Sequence, residues 1–185
     1  MDELGVVHGR FQVLHNDHVE YILAGKRRCD RLVIGITNPD PILTSLDETN
    51  PARSLESSNP LTYFERYTMV KAALSEKGLS YSEFSVTPFP INFPDIYRYY
   101  VPTDAVYYIT IYDDWGRRKR DLLTKSGLKT EVLWDRPPEQ KGLTGSFIRS
   151  LMMKGLPWEE FVPRSVAALM TQWDIPARIR NFANK

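Results

Sequence analysis

The stretch "VVHGRFQVLHNDH", Val6–His18, holds all three histidines of a 185-residue chain: His8, His15 and His18. Imidazoles beside a glycine and an arginine suggest anion binding. Gly9 lets backbone approach a ligand closely, and Arg10 offers a planar fork of N–H groups to phosphate oxygens. His15 and His18 are spaced to share one face of a first helical turn. A helix N-terminus there adds free N–H groups and partial positive charge. The same pair also fits a transition-metal site, but no third ligand is apparent. His8 reads as a half-buried strand end with a structural role, and Arg10 alone would pass as a surface charge. A second set, "TGSFIRS", puts Thr144, Gly145 and Ser146 at an expected helix start, with Arg149 one turn in. Hydroxyls, unpaired N–H groups and a guanidinium make a second anion cradle; the plainer alternative is a helix cap. The two common phosphate loops, G-x-x-x-x-G-K-[ST] and G-x-G-x-x-G, are absent.

Positioning two such sets requires a frame, and the hydrophobic pattern supplies one. Leu4–His8 and Arg31–Thr37 read as buried strands. The helix between them takes Asn16 or Asp17 as its cap, with Val19, Ile22, Leu23 and Cys29 inward. Thr62 and Glu65 have capping-box spacing. The helix that follows places Phe64, Tyr67, Val70 and Leu74 on one side and stops at Gly78. Further strands are expected at Glu83–Thr87, Asp104–Tyr112 and Lys129–Trp134. Further helices are expected over Arg117–Lys125, from "TGSFIR", and within "PWEEFVPRSVAALMTQW". Asn38–Leu61 has four prolines and no period, which marks it as functional or mobile. Alternating strands and helices predict an α/β, Rossmann-like open parallel sheet of about five strands, covered by helices on both faces. The predicted boundaries are a main domain over 1–155 and a helical C-terminal extension over 156–185 packed on it. Ligands in such sheets bind at the carboxyl ends of the strands, near the topological switch point. "GRFQVLHNDH" follows the first strand and occupies that place.

Composition narrows the function classes. An apolar fraction of 42% and an aromatic fraction of 12% fit a globular fold. Lys+Arg 24 against Asp+Glu 23 is a balanced charge that calls for neither nucleic acid nor an acidic membrane. One cysteine, no signal-like start and no apolar run of membrane-spanning length read as a soluble cytoplasmic protein.

Together, the motifs resemble the nucleotidyltransferase superfamily, and within it the archaeal-type nicotinamide-nucleotide adenylyltransferases. Their loop G-R-F-Q-P-x-H-x-G-H is similar to "GRFQVLHNDH", and their N-P-F-T-x-x-E-R to "NPLTYFER", Asn59–Arg66. Their S-G-T-E-[IV]-R is similar to "TGSFIR", followed by a pattern met in Trp158, Val162, Pro163, Ser165 and Val166. Val13 replaces a family proline, and Asp17 replaces the glycine of H-x-G-H. The resemblance implies AMP transfer from ATP to nicotinamide or nicotinate mononucleotide, with release of pyrophosphate and with Mg²⁺. It implies nucleotide contacts from Gly9, Arg10, Phe11, Gln12, His15, His18, Thr144, Gly145, Ser146 and Arg149. His15, His18 and Arg149 would carry the catalytic load. Acceptor contacts would come from Arg66, Asn92, Tyr97 and Trp115, with the tyrosine-rich "PDIYRYY" stacking on a pyridine ring. The resemblance favours the amide acceptor and allows a homo-oligomer. The alternatives are a related transferase with CTP or another acceptor, and a nucleotide-binding sensor without catalysis, which Asp17 would favour.

Overall fold

The computed structural model describes residues 1–44 and 55–183. Five strands, β1 (Asp2–Gly9), β2 (Cys29–Thr37), β3 (Phe84–Phe89), β4 (Val106–Ile111) and β5 (Lys129–Asp135), form one parallel sheet in the order β3-β2-β1-β4-β5. Among the described residues six α-helices accompany it: α1 (Asn16–Lys26), α2 (Tyr63–Glu76), α3 (Asp114–Lys125), α4 (Gly145–Met153), α5 (Arg164–Gln172) and α6 (Ile175–Ala183). This is the Rossmann-like architecture that the alternation predicts. Residues 45–54, the middle of the proline-rich stretch, lie outside the described residues.

Strand side chains alternate between two apolar layers. Val7, Leu32, Ile34, Ile36 and Tyr108 meet α1 and α2 on one face. Val6, Val33, Tyr107 and Ile109 meet Leu123 of α3 and Tyr97 on the other. Trp158, Val162, Val166, Met170, Ile175 and Ile179 join the first layer, so the C-terminal helices extend the core of the main domain. α6 falls within the helical extension expected over 156–185, beyond the two helices read in residues 157–173, and Cys29 opens β2 instead of closing α1. The inward face of α2 is Arg66, Met69, Val70, Ala73 and Leu74. Phe64 is 70% exposed and stacks on Tyr67 at the surface, so the stripe expected through Phe64 is displaced around the helix.

The chain runs β1, β2, β3 outward and then returns to set β4 beside β1. β1 and β4 pair only at Gly5–Val106 and Val6–Tyr107. Beyond that point the Tyr21 hydroxyl enters from α1. It accepts the His8 N–H at 3.3 Å and donates to the Tyr108 carbonyl at 2.6 Å. A side chain thus satisfies backbone groups that strand pairing leaves open, and the crevice of the switch point begins there.

Candidate functional site

A cavity of about 440 Å³ opens at the carboxyl ends of β1 and β4. Both motif loops reach it. His15 is the N-cap of α1, in place of the expected Asn16 or Asp17. Its Nδ1 accepts the His18 N–H at 3.3 Å, and the His18 Nδ1 accepts the His15 N–H at 3.4 Å. The rings stack with centroids 3.5 Å apart. This is a capping box made by two imidazoles. Because each Nδ1 is an acceptor, each neutral ring carries its proton on Nε2. Burial pushes His15 down to about 4, with Asp17 pulling the other way. Burial, then His15 and Arg10, hold His18 well below the ordinary imidazole value. Near neutral pH both rings are therefore neutral; the remaining ring N–H of His18 meets the Val13 backbone, a contact that partly offsets the lowering.

The loop between β1 and α1 is held from beneath. Phe11 is fully buried, with its ring under Gly9 and edge-on to His18 at 5.1 Å. The Gln12 side chain donates to the Leu61 carbonyl and accepts the Leu61 N–H, both at 2.9 Å. It clamps the loop to the start of α2, and both its amide groups are occupied. Arg66, expected at the acceptor, is 1% exposed. Its Nε donates to the Thr62 carbonyl, Nη1 to Arg10 and Thr37, and Nη2 to Asn38 and Pro39. All N–H groups of the guanidinium are thus engaged by backbone, so Arg66 builds the cleft wall and has none left for substrate. Burial lowers its pKa to about 10.

The second motif meets the first. Thr144 caps α4 by accepting the Phe147 N–H at 3.1 Å, and its hydroxyl lies 3.1 Å from that of Ser146. A Cβ on Gly145 would stand 2.4 Å from the Gln12 carbonyl oxygen, so only glycine lets α4 come this close to the loop. Arg149 donates an Nη1 N–H to that same carbonyl and lines the cavity. Asp17 accepts the Leu143 N–H at 2.7 Å. It ties α1 to the segment before α4, so its carboxylate has a protein partner.

Arg10, Thr144, Gly145, Ser146 and Trp115 all line the cavity. Asn92 and Tyr97 do not. Tyr97 is 2% exposed in the second apolar layer, where its hydroxyl donates to the Ile91 carbonyl; Asn92 is exposed. The aromatic run turns as a short 3-10 helix, Pro94–Tyr99, which directs its tyrosines to core and surface. Sequence reasoning missed Asp113, Lys141, Lys119 and Trp134, which line the β4–β5 side. Asp113 caps α3 through the Gly116 N–H at 2.9 Å and pairs with Lys141 at 3.0 Å. Its position directly after β4, at the switch point, is the signal that would have found it.

Residues 6–151 match the family model described as cytidylyltransferase-like. The chain belongs to the cytidylyltransferase-like family. It is a nucleotidyltransferase, as the motif resemblance implied. Among relatives of this cytidylyltransferase-like chain is phosphonoformate cytidylyltransferase of Streptomyces viridochromogenes, 48% identical over 176 residues and 95% of both chains. Nicotinamide-nucleotide adenylyltransferase of Thermococcus kodakarensis is 30% identical, over 99% of this chain and 90% of that one. A bifunctional NMN adenylyltransferase/ADP ribose pyrophosphatase from Francisella tularensis, complexed with AMP and a manganese ion, shares the fold at a TM-score of 0.71. It is 13% identical, and the match covers all of this chain and 53% of that one.

Proposed function

We propose that the protein transfers a cytidylyl group from CTP to a small acidic phosphonate of the phosphonoformate type, releasing pyrophosphate. The 48% identity to a phosphonoformate cytidylyltransferase, over 95% of both chains, carries this reading. The cleft supports it. The tyrosines that would stack on a pyridine ring lie outside the cavity, and its wall between β1 and α3 is formed by His8, Lys119 and Trp115.

The reaction asks for alignment and charge stabilisation. A phosphonate oxygen is already an anionic nucleophile, so no general base is needed. It forms a bond to the α-phosphorus while the bond to the β-phosphate oxygen breaks, and that electron pair leaves with pyrophosphate. His15 donates its Nε2 proton to the triphosphate, and His18, stacked on it at 3.5 Å and held by the Val13 backbone, fixes its orientation. Arg149 and the start of α4 hold the leaving group. Arg10, at the rim of the loop, meets phosphate charge. Among the described residues no cluster of three His, Cys, Asp or Glu side chains could hold a metal. The acidic side chains at the cleft, Asp17 and Asp113, are bonded to protein groups. That donor set fits a Mg²⁺ that travels on the nucleotide phosphates and not in a protein cage. Such an ion supplies neutralisation of phosphate charge.

Adenylyl transfer to nicotinamide mononucleotide is the second reading, favoured by the ordered motifs and the relatives near 30% identity. Pyrophosphate release with CTP or ATP, each paired with phosphonoformate or nicotinamide mononucleotide, separates the two. We expect kcat/KM for CTP with phosphonoformate to exceed that for ATP with the mononucleotide by more than about a hundredfold, roughly 2.7 kcal/mol. The reverse order would overturn the proposal in favour of the second reading.

A further inference from the structure

The geometry points to His8 and Lys119 as the subsite that reads the carboxylate of the acceptor. This rests on the reading of the acceptor as a small phosphonate acid. His8 is the penultimate residue of β1, 4% exposed, and lines the cavity. Its backbone N–H is taken by Tyr21, yet among the described residues neither ring nitrogen has a hydrogen-bond partner, and both are buried. Native proteins rarely leave buried polar groups unpaired, because each forfeits the water it lost. A histidine kept in that state on a ligand cavity is explained by a partner that arrives with the ligand.

The surroundings define that partner. Phe89 closes one side of the ring edge-on, with centroids 5.5 Å apart. Lys119 lines the same cavity, with Nζ 4.9 Å from the Trp115 ring centroid. Burial first, and then the Lys119 charge, keep His8 neutral, so its ring presents one N–H donor. Lys119 presents an ammonium on a flexible stem. A carboxylate satisfies both, with one oxygen on the imidazole N–H and the other on the ammonium. The His8 nitrogens are shut from solvent, so the subsite requires side chains of the cavity wall to shift as the anion enters. The carboxylate undergoes no chemistry. It anchors the acceptor beside Gly9, so that the phosphonate end faces the nucleotide.

The test is a substrate-and-variant cycle. Pyrophosphate release with CTP is measured for phosphonoformate and for methylphosphonate, which lacks the carboxylate. Wild type, His8→Phe, His8→Gln and Lys119→Met are compared. The expected result is a phosphonoformate-to-methylphosphonate ratio of kcat/KM that falls about tenfold or more in His8→Phe and Lys119→Met. His8→Gln, which retains an N–H donor, should recover part of that ratio. A purely structural His8 would depress both acceptors alike, and an unchanged ratio overturns the subsite. If wild type turns over no phosphonoformate with CTP, the reaction reading fails, and calorimetry with phosphonoformate alone judges the subsite. Binding to wild type that weakens about tenfold in His8→Phe supports it; no binding, or equal binding, overturns it.

Discussion

His15 performs two jobs with one ring, and a pair of substitutions separates them. Its Nδ1 caps α1 through the His18 N–H, and in the proposed reaction its Nε2 proton serves the triphosphate. His15→Ala removes both. Losing an N-cap costs about 1 kcal/mol, and truncating a side chain that is only 3% exposed adds a void, so about 2 kcal/mol in total is expected. In a chain of 185 residues that lowers Tm by about 4–8 °C. His15→Asn keeps an oxygen acceptor that can take the same N–H, so its cap survives and its Tm should stay within about 3 °C of wild type. Both variants lack the Nε2 donor and should lose about 10²–10³ in kcat, the scale for one preorganised hydrogen bond to transition-state charge. Thermal melts and CTP-dependent pyrophosphate release, run on the same preparations, give both readouts. Wild-type kcat in His15→Asn would refute the donor role. Equal melting of His15→Ala and wild type would refute the imidazole capping box.

Three further outcomes are expected. His8, His15 and His18 all have lowered pKa values in the fold, so between pH 6.5 and about 4 the unfolded chain binds more protons than the folded one. Stability should therefore drop as pH falls through that window, by up to about 1.4 kcal/mol per pH unit from His15, with His8 and His18 adding in the same direction. Denaturant melts that are flat from pH 7 to pH 5 would contradict this. Arg66→Lys keeps a charge but cannot reach five carbonyls, so several kcal/mol of stability should be lost; a stable variant with only a raised acceptor KM would restore Arg66 to the acceptor site. Tyr21→Phe leaves the His8 N–H and the Tyr108 carbonyl unpaired and should cost about 2–4 kcal/mol by denaturant melt, against less than about 0.5 kcal/mol if water takes the hydroxyl's place.

The sheet and its helices were legible because β-branched runs and helical periods recur along the chain with clear stops, such as Gly78 and Gly127, both at positive φ. That the two motifs meet was legible too, since Gly9, Arg10, His15, His18, Thr144, Gly145, Ser146 and Arg149 all line one cavity. The acceptor side was not. Arg66 has the composition of a ligand-binding residue, and only the carbonyls around it reveal a scaffold. Tyr97 has the composition of a stacking platform, and only the turn that carries it reveals a core residue. His8 is unremarkable in sequence; what sets it apart is that no described residue bonds to either of its ring nitrogens.

The bond from the Leu143 N–H to Asp17 also has a consequence for how such chains diverge. Gly142 has a φ of 69°, and a Cβ there would lie 2.3 Å from the Asp17 carboxylate oxygen. Positions 17 and 142 therefore act as a key and its slot. A lineage with glycine at 17 is released from the steric demand at 142, whereas one with aspartate at 17 must first have the slot empty. Mutational paths between the two loop types should pass through the glycine at 142 before the aspartate at 17. A graft of "LHNDH" into a relative with a bulkier residue opposite would prise the α4 segment away from α1 and open the cleft at its nucleotide end.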